Sequence, residues 1–244
     1  MMFDQYKSYI KEETLKEYPL EAVFLITKNG CQKVDNIAKD PKSSFAVKTR
    51  DIANAQKEGL LAVVHSHPDY PAYPSHADMQ TQLNYKIPFG LLATDGKSTT
   101  DLIWWGDAVP VPDLKTRTFR FGVTDCWSYI RDYYKINLGI ELKDYAREWD
   151  FWKNGNDLYT KNLNDAGFYK IDDIKIIKPY DIFLCNYRSR IPNHGGIYIG
   201  DGLISHHMTS RDAIDISRHP STEPLHRHRN HISAVYRFKD FEND

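Results

Sequence analysis

The stretch LLAVVHSHPDYPAYPSHADM, residues 60–79, passes from an apolar run into a cluster of polar side chains. The apolar run predicts a buried β-strand, and Ser75 has the chemistry of a helix start. His65 and His67 are two residues apart at the end of this strand, so both imidazoles lie on one face. Ser75 and Asp78 are three residues apart, which places them on one face of a first helical turn. The sequence therefore predicts a proline-rich loop that brings these four side chains together.

Two histidines and one carboxylate are a common ligand set for catalytic Zn²⁺, with water in the fourth position. His65, His67 and Asp78 are therefore candidate metal ligands. Zinc lowers the pKa of such a water to about 7, so a nearby carboxylate is needed to take its proton. Each residue alone has a plainer interpretation, because strand-end histidines are usually surface residues and Ser75 also suits a helix N-cap. The complete spacing, HSHP followed by SxxD, is much more restrictive than HxH alone.

The segments before residue 106 alternate between predicted helices and strands. They are a helix over 2–18 closed by Pro19, a strand over 20–27, a turn over 28–30, a strand end running into a helix over 45–59, the strand over 60–67, a helix over 75–85, and strands over 89–94 and 98–106. Gly106, Pro110 and Pro112 then interrupt a short polar stretch, which is typical of a linker.

Beyond the linker, predicted helices come first and strands follow, which is typical of an α+β unit. The elements are helices over 124–136 and from 158 to Gly167, and strands over 181–187, 195–200, 203–208 and 234–239. The polar segment RHPSTEPLHRHRNH, residues 218–231, is interpreted as a surface loop.

The composition is that of a soluble globular protein, with 244 residues of which 41% are hydrophobic and 27% charged. The net charge of −1 gives no strong field for nucleic acid or acidic membrane, and no apolar run is long enough for membrane insertion. Cys31, Cys126 and Cys185 are too widely spaced for a metal knuckle and cannot all pair, so we expect reduced thiols. The charged N-terminus contains no apolar core of a signal peptide.

The HSHP and SxxD spacing resembles the JAMM motif of the JAB/MPN metallopeptidase family, over residues 1–108. The resemblance implies an α/β sandwich that hydrolyses peptide or isopeptide bonds. It implies that His65, His67 and Asp78 bind one Zn²⁺ and that Ser75 stabilises the tetrahedral intermediate.

The general base of that family is a glutamate on an early strand. The segment YPLEAVFLI, residues 18–26, supplies Glu21 at this place. Glu17 is an alternative nearby, and Glu21 is preferred because it leads the strand.

A second candidate site begins with FRFGVTDCWSYIRDYY, which places Cys126 at the start of a predicted helix. There the helix dipole favours thiolate over thiol, and Asp125 suits the N-cap. A cysteine nucleophile also needs a histidine base. His194 and His206 lie on a predicted hairpin, and they share a face if the turn has three residues, 200–202.

The segments GVTDCWSYIRDYY, PYDIFLC and HGGIYIGDGLISHH resemble, in that order, the three signature segments of NlpC-type cell-wall cysteine peptidases. The resemblance implies a papain-like fold over residues 113–244. It implies that Cys126 is the nucleophile, His194 the base and His206 the polar residue that orients the base. His207 is the alternative for that third position.

Two residues depart from the pattern of this family. Phe119 stands near the place where many members have a tyrosine whose hydroxyl helps the oxyanion, and Trp127 replaces a small residue. Stabilisation of the oxyanion is therefore expected to rest on backbone N–H groups. Cys185 lies mid-strand in apolar company and is interpreted as a structural cysteine.

The order of the two domains resembles that of tail-tip assembly proteins of long-tailed bacteriophages. The resemblance implies a peptidase that cleaves peptide bonds of host peptidoglycan and acts in tail-tip assembly. It also implies a place at the virion tail tip, synthesis in the host cytoplasm without a signal peptide, and tail-tip or hub proteins as partners. One alternative is a structural plug or assembly factor of the tail hub with vestigial peptidase sites. Another, a cytoplasmic deubiquitinase-like enzyme, rests on residues 1–108 alone.

Overall fold

The apolar run before His65 forms β3 (Leu60–Pro68), the central strand of a mixed sheet in the N-terminal part of the chain. The computed structural model describes residues 2–209 and 215–241. Over these residues the chain divides into two units, each built around one sheet. The predicted two-domain α+β class is confirmed, whereas the boundary between residues 108 and 113 stays a prediction.

The first sheet has the strand order β2-β1-β3-β4-β5. β3 pairs with β4 in parallel, and the other pairings are antiparallel. The elements around β3 are α1 (Lys7–Glu17), β1 (Val23–Thr27), β2 (Gly30–Val34), α2 (Thr49–Lys57), α3 (His76–Tyr85), β4 (Phe89–Thr94) and β5 (Ile103–Trp105).

Strands β1 and β4 are buried along their whole length, which explains why their sequences are continuously apolar. Phe24, Val64 and Leu92, from three neighbouring strands, pack in one cluster with Ile10 of α1. In the antiparallel pair β1–β3, Val23 pairs with His65.

The second sheet is antiparallel, with the strand order β10-β9-β8-β7-β11-β6. The elements of this unit are α4 (Cys126–Leu138), α5 (Leu158–Leu163), β6 (Phe168–Ile171), β7 (Ile182–Cys185), β8 (His194–Gly200), β9 (Leu203–His206), β10 (Ser221–Pro224) and β11 (Ile232–Phe238). Helix α4 buries Ile130 and Tyr134 against Phe168 and Ile182.

Three expectations about these elements are wrong. Helix α5 ends at Leu163 rather than near Gly167, and residues 45–48 form no strand before α2. The segment 218–231 is not simply a surface loop, because β10 pairs with β9 at the edge of the sheet. A polar edge strand of this kind lacks the apolar alternation by which strands are predicted.

The hairpin between β8 and β9 also differs from the predicted three-residue turn. Its turn is Asp201–Gly202, with both residues left-handed at φ 52° and 71°, and Gly200 pairs with Leu203. The register shifts between Tyr198 and Gly200, so one extra residue lies in β8 as a bulge. This bulge restores the pairing that puts His194 and His206 on one face, as predicted.

All three cysteines are free, as expected. In the described ranges 2–209 and 215–241, the helices are too short or too polar to cross a membrane.

Candidate functional sites

The end of β3 and the start of α3 form the first candidate site. The Nε2 atoms of His65 and His67 are 3.2 Å apart, and a carboxylate oxygen of Asp78 lies within 4.8 Å of both. All three residues are buried, with His65 fully so. The structure thus brings together the three predicted ligands, although their role as ligands stays a prediction.

The distances in this cluster fit a tetrahedral zinc ion. Two nitrogen ligands at the usual Zn–N distance lie about 3.3 Å apart, close to the separation of the two histidines. Nδ1 of His67 lies 3.4 Å from the carbonyl oxygen of Pro71, an arrangement that orients the ring. Phe45 stacks on His65 with 4.6 Å between ring centroids. The donor set and its orientation therefore suit a metal of this class.

Glu21 reaches the same cluster because of the strand register. Val23 pairs with His65 in the antiparallel pair β1–β3, so Glu21, two residues earlier, lies opposite His67. Its Oε1 atom is 4.0 Å from Nε2 of His67, and the residue is 2% exposed. Glu17, the alternative base, instead forms an ion pair with Lys33 at 2.7 Å. The geometry therefore favours Glu21 for a role at this site.

Ser75 lies just before α3 and caps it. Its Oγ donates to Oδ2 of Asp78 at 2.7 Å, and its backbone N–H donates to the same oxygen at 2.8 Å. The backbone N–H of Asp78 donates back to Oγ of Ser75 at 3.1 Å. The hydroxyl is therefore engaged in a reciprocal cap that fixes the Asp78 carboxylate, and its predicted role towards an intermediate stays a prediction.

The second candidate site lies at the N-terminus of α4. Asp125 is the predicted N-cap, and its carboxylate accepts from the N–H of Ser128 at 3.0 Å and of Gly122 at 2.8 Å. Arg147 donates to both oxygens of Asp125, at 2.8 and 3.0 Å. Burial alone would raise the pKa of Asp125, but the charge and hydrogen bonds of Arg147 hold it at about 2. Asp125, the residue before Cys126, is therefore buried and ionised, and it links the start of α4 to Arg147.

Cys126 is half-buried at the first position of α4. Its Sγ lies 2.9 Å from the hydroxyl of Tyr159, a contact that the sequence did not predict. Burial and the charge of Asp125 raise the pKa of the thiol to about 11, against the opposing hydrogen bonds from Tyr159 and the Gly195 backbone. The expected thiolate is therefore not the resting form, because burial outweighs the helix dipole.

His194 and His206 meet as predicted, with Nε2 of His194 2.8 Å from Nδ1 of His206. Burial lowers the pKa of His194 well below its ordinary value and that of His206 to about 4, so both rings are neutral at pH 7. His207, the alternative partner, instead lies with Nε2 3.1 Å from the carbonyl of Arg218. The geometry therefore pairs His206, and not His207, with the candidate base.

The pair His194–His206 is linked by further polar contacts to residues of the segment 218–231, which was predicted to be a surface loop. Nε2 of His206 lies 3.4 Å from Oε1 of Glu223, and Oε2 of Glu223 lies 3.2 Å from Nε2 of His228. Nδ1 of His228 is 2.6 Å from the hydroxyl of Tyr187. Sequence reasoning missed these residues, and the cluster HRHRNH with the preceding Glu223 was the available signal.

Cys126 and His194 line one cavity of about 380 Å³ in the second unit. Its other walls are largely aromatic, with Phe119, Trp149 and Trp152 among them. A nucleophile and a base that share one solvent-accessible cavity can act on a bound substrate.

Comparisons with known proteins agree with this arrangement. The sequence model of prokaryotic homologues of the JAB domain matches residues 6–105, and that of the NlpC/P60 family matches residues 116–231. The chain is thus a two-domain protein with a JAB-like unit followed by an NlpC/P60 unit. Tail tip assembly protein K of Escherichia phage lambda is 36% identical over 184 residues, which cover 73% of this chain and 87% of that protein. The chain belongs to the family of this tail tip assembly protein.

Tail tip assembly protein K of Escherichia phage N15 is also similar, with 25% identity over 202 residues that cover 79% of each chain. Among solved structures, an NlpC/P60 family protein from Bacillus cereus is 12% identical, with a TM-score of 0.32. That similarity covers 93% of this chain and 66% of the other.

Proposed function

We propose that the chain is a bacteriophage tail-tip protein whose NlpC/P60 unit is a cysteine peptidase acting on host peptidoglycan. One observation carries the proposal: Cys126 at the start of α4 shares a cavity with His194, whose second nitrogen is bonded to His206 at 2.8 Å. A nucleophile, a base and a group that orients the base are the parts such a peptidase needs.

The reaction follows from the protonation states of these residues. Nε2 of His194 is engaged with His206, so Nδ1 is the nitrogen that takes the proton from the thiol. Sγ of Cys126 then forms a bond to the carbonyl carbon of the scissile peptide, and the leaving amine takes the proton back from His194. Water, deprotonated by His194, cleaves the resulting thioester and regenerates the thiol.

Two donors contact the sulfur in this proposal, and a third suits the oxyanion. The Tyr159 hydroxyl and the N–H of Gly195 contact Sγ and stabilise its negative charge as the proton leaves. The backbone N–H of Cys126, at the first position of α4, suits the developing oxyanion. Tyr159 thus places a hydroxyl beside the sulfur in a chain whose nearest counterpart to the family tyrosine is Phe119.

We propose that the JAB-like unit is a zinc peptidase that cleaves a peptide or isopeptide bond, either in the wall or in a tail protein during assembly. His65, His67 and Asp78 would hold the ion, and Ser75 keeps the Asp78 carboxylate in place. Bound zinc supplies a water of lowered pKa and a Lewis acid for the carbonyl. Buried Glu21, 4.0 Å from His67, would serve as the general base at this site.

Digestion of purified peptidoglycan by the full-length chain tests both assignments. Muropeptide products are identified by mass spectrometry for the wild type, Cys126→Ala and Glu21→Ala. Cys31→Ala is the matched control, since Cys31 is a half-buried cysteine on β2. We expect Cys126→Ala alone to lose the product of the NlpC/P60 unit. If Cys126→Ala digests the wall like the wild type, the cysteine assignment fails.

The zinc assignment has its own test. The full chain, prepared without chelator, is expected to contain one zinc ion per molecule by elemental analysis. A chain that binds no zinc under these conditions contradicts the metallopeptidase assignment and leaves the cysteine assignment intact.

A structural plug or assembly factor of the tail hub is the second candidate function. Two observations favour it. The Ser75 hydroxyl is engaged by Asp78, and the raised pKa of Cys126 keeps its thiol protonated, so neither group is in the state that catalysis needs. Stoichiometric binding to a tail hub protein, with no product from peptidoglycan or wall fragments, would decide for this function.

A further inference from the structure

We propose that Glu223 is a positioning residue that fixes the tautomers of His206 and His194 and supplies the negative charge that this pair lacks. The proposal rests on the proposed cysteine peptidase function of Cys126 and His194. It concerns β10, a strand outside the three sequence segments that suggested the cysteine site.

The direction of each hydrogen bond follows from the carboxylate. Ionised Glu223 accepts and cannot donate, so Nε2 of His206, 3.4 Å away, is the nitrogen that carries the proton. Nδ1 of neutral His206 is then an acceptor, which requires Nε2 of His194 to donate across the 2.8 Å contact. Nδ1 of His194 is left unprotonated, which is the state of a base ready to accept the thiol proton.

The carboxylate is held in place from its other side. Its Oε2 accepts from Nε2 of His228 at 3.2 Å, and Nδ1 of His228 accepts from the Tyr187 hydroxyl at 2.6 Å. Ser221 donates to Oε1 at 3.1 Å. When Glu223 is ionised, every hydrogen bond in the series from Tyr187 to His194 has one donor and one acceptor. The assigned tautomers are therefore mutually consistent.

The charge of Glu223 has a separate role. When His194 accepts a proton it becomes an imidazolium, and His206 beside it is neutral and buried. A carboxylate in the third position would stabilise this cation directly. Here the carboxylate is one residue further away, and its side chain is about a third exposed, so its effect is weaker. Burial and the neighbouring His206, His207 and His228 lower the His194 pKa. The Glu223 carboxylate, which raises the pKa of His206, acts in the opposite direction from behind that residue.

Three variants of the full-length chain separate these roles. Glu223→Ala removes both acceptor and charge, whereas Glu223→Gln keeps an acceptor oxygen towards His206 and removes the charge. Thr222→Ala, on the exposed face of β10, is the matched control. Histidine side-chain ¹⁵N NMR reads the tautomers without substrate. The rate at which iodoacetamide alkylates Cys126, measured by peptide mass spectrometry over a range of pH, reports the protonation of His194.

We expect His206 to be protonated at Nε2 in the wild type, in Thr222→Ala and in Glu223→Gln, and to become a mixture of tautomers in Glu223→Ala. For muropeptide cleavage, we expect kcat to fall about tenfold in Glu223→Gln and further in Glu223→Ala, with KM unchanged. The acid limb of the alkylation profile should move down by about one pH unit in both, since loss of the negative charge makes His194 a weaker base.

Several outcomes overturn the proposal. Unchanged tautomers and an unchanged alkylation profile in Glu223→Ala would do so, even if the wild type cleaves peptidoglycan. A wild type with the expected tautomers and no cleavage product would instead contradict the proposed function alone. A wild-type alkylation rate that rises with chelator and falls with Zn²⁺, while Glu223→Ala is insensitive to both, would mean that His206, Glu223 and His228 hold a metal. That result also overturns the positioning role.

Discussion

Replacing Asp125 by Asn is expected to destabilise the NlpC/P60 unit by about 3–5 kcal/mol, because it leaves a buried guanidinium with an incomplete partner. Asp125 is 2% exposed and Arg147 is 3% exposed, so neither charge is solvated by water. The lowered pKa of Asp125, about 2 instead of 3.8, alone corresponds to about 2 kcal/mol. Asn also turns an N–H₂ group towards the donors on one side, either Gly122 N–H and Arg147 Nε or Ser128 N–H and Arg147 Nη2.

The measurement is hydrogen–deuterium exchange of the full-length chain, read on peptides that cover α4. A loss of 3 kcal/mol accelerates exchange of the slowest α4 amides by about 100-fold. Asp113→Asn is the control, because the Asp113 carboxylate accepts similar backbone bonds from Lys115 and Thr116 on the surface, without an arginine. We expect less than about 1 kcal/mol there. Equal exchange in both variants would refute the view that the buried ion pair holds the start of α4.

Three further outcomes follow from the two sites. Because the pKa of His206 is about 4 in the fold and 6.5 unfolded, the unfolded chain binds the proton first, and stability should fall by about 3 kcal/mol between pH 6.5 and 4. His206→Asn should flatten this slope in urea titrations. Tyr159→Phe should slow alkylation of Cys126 about tenfold at pH 8, since a bond to the forming thiolate is lost; an unchanged rate would contradict that contact. His67→Ala should reduce the zinc content measured by elemental analysis to well below one ion per chain, without altering alkylation of Cys126.

The side chains whose proximity the sequence predicted share a local or register-determined signal. His65, His67 and Asp78 follow from strand and helix periodicity across one short loop, and their proximity is observed. Glu21 was expected from the family resemblance and from its place ahead of β1, and the antiparallel pairing of β1 with β3 brings it opposite His67. The proximity of His194 and His206 follows from a hairpin, although the turn that achieves it differs from the predicted one.

The residues that the sequence did not predict act through contacts between distant segments. Arg147 lies in an irregular stretch between α4 and α5, and its partner Asp125 is 22 residues earlier. Tyr159 has the spacing of an ordinary core residue of α5, and only the packing of the unit brings its hydroxyl to Cys126. Glu223 lies on an edge strand whose polar sequence carries no periodic signal. Contacts across such separations leave no periodic pattern in a single sequence.

Because of the bulge in β8, the contact between His194 and His206 depends on the number of residues in the hairpin that joins their strands. Gly196 lies between His194 and the turn, and a Cβ there would come within 2.7 Å of the His206 Cβ, so this position has no room for a side chain. Surface turns usually tolerate insertions and deletions. Here a change of one residue between positions 199 and 203 reverses the alternation of β9 and turns His206 away from His194. The number of residues in this turn therefore determines which face of β9 carries His206, and it matters more than which residues they are.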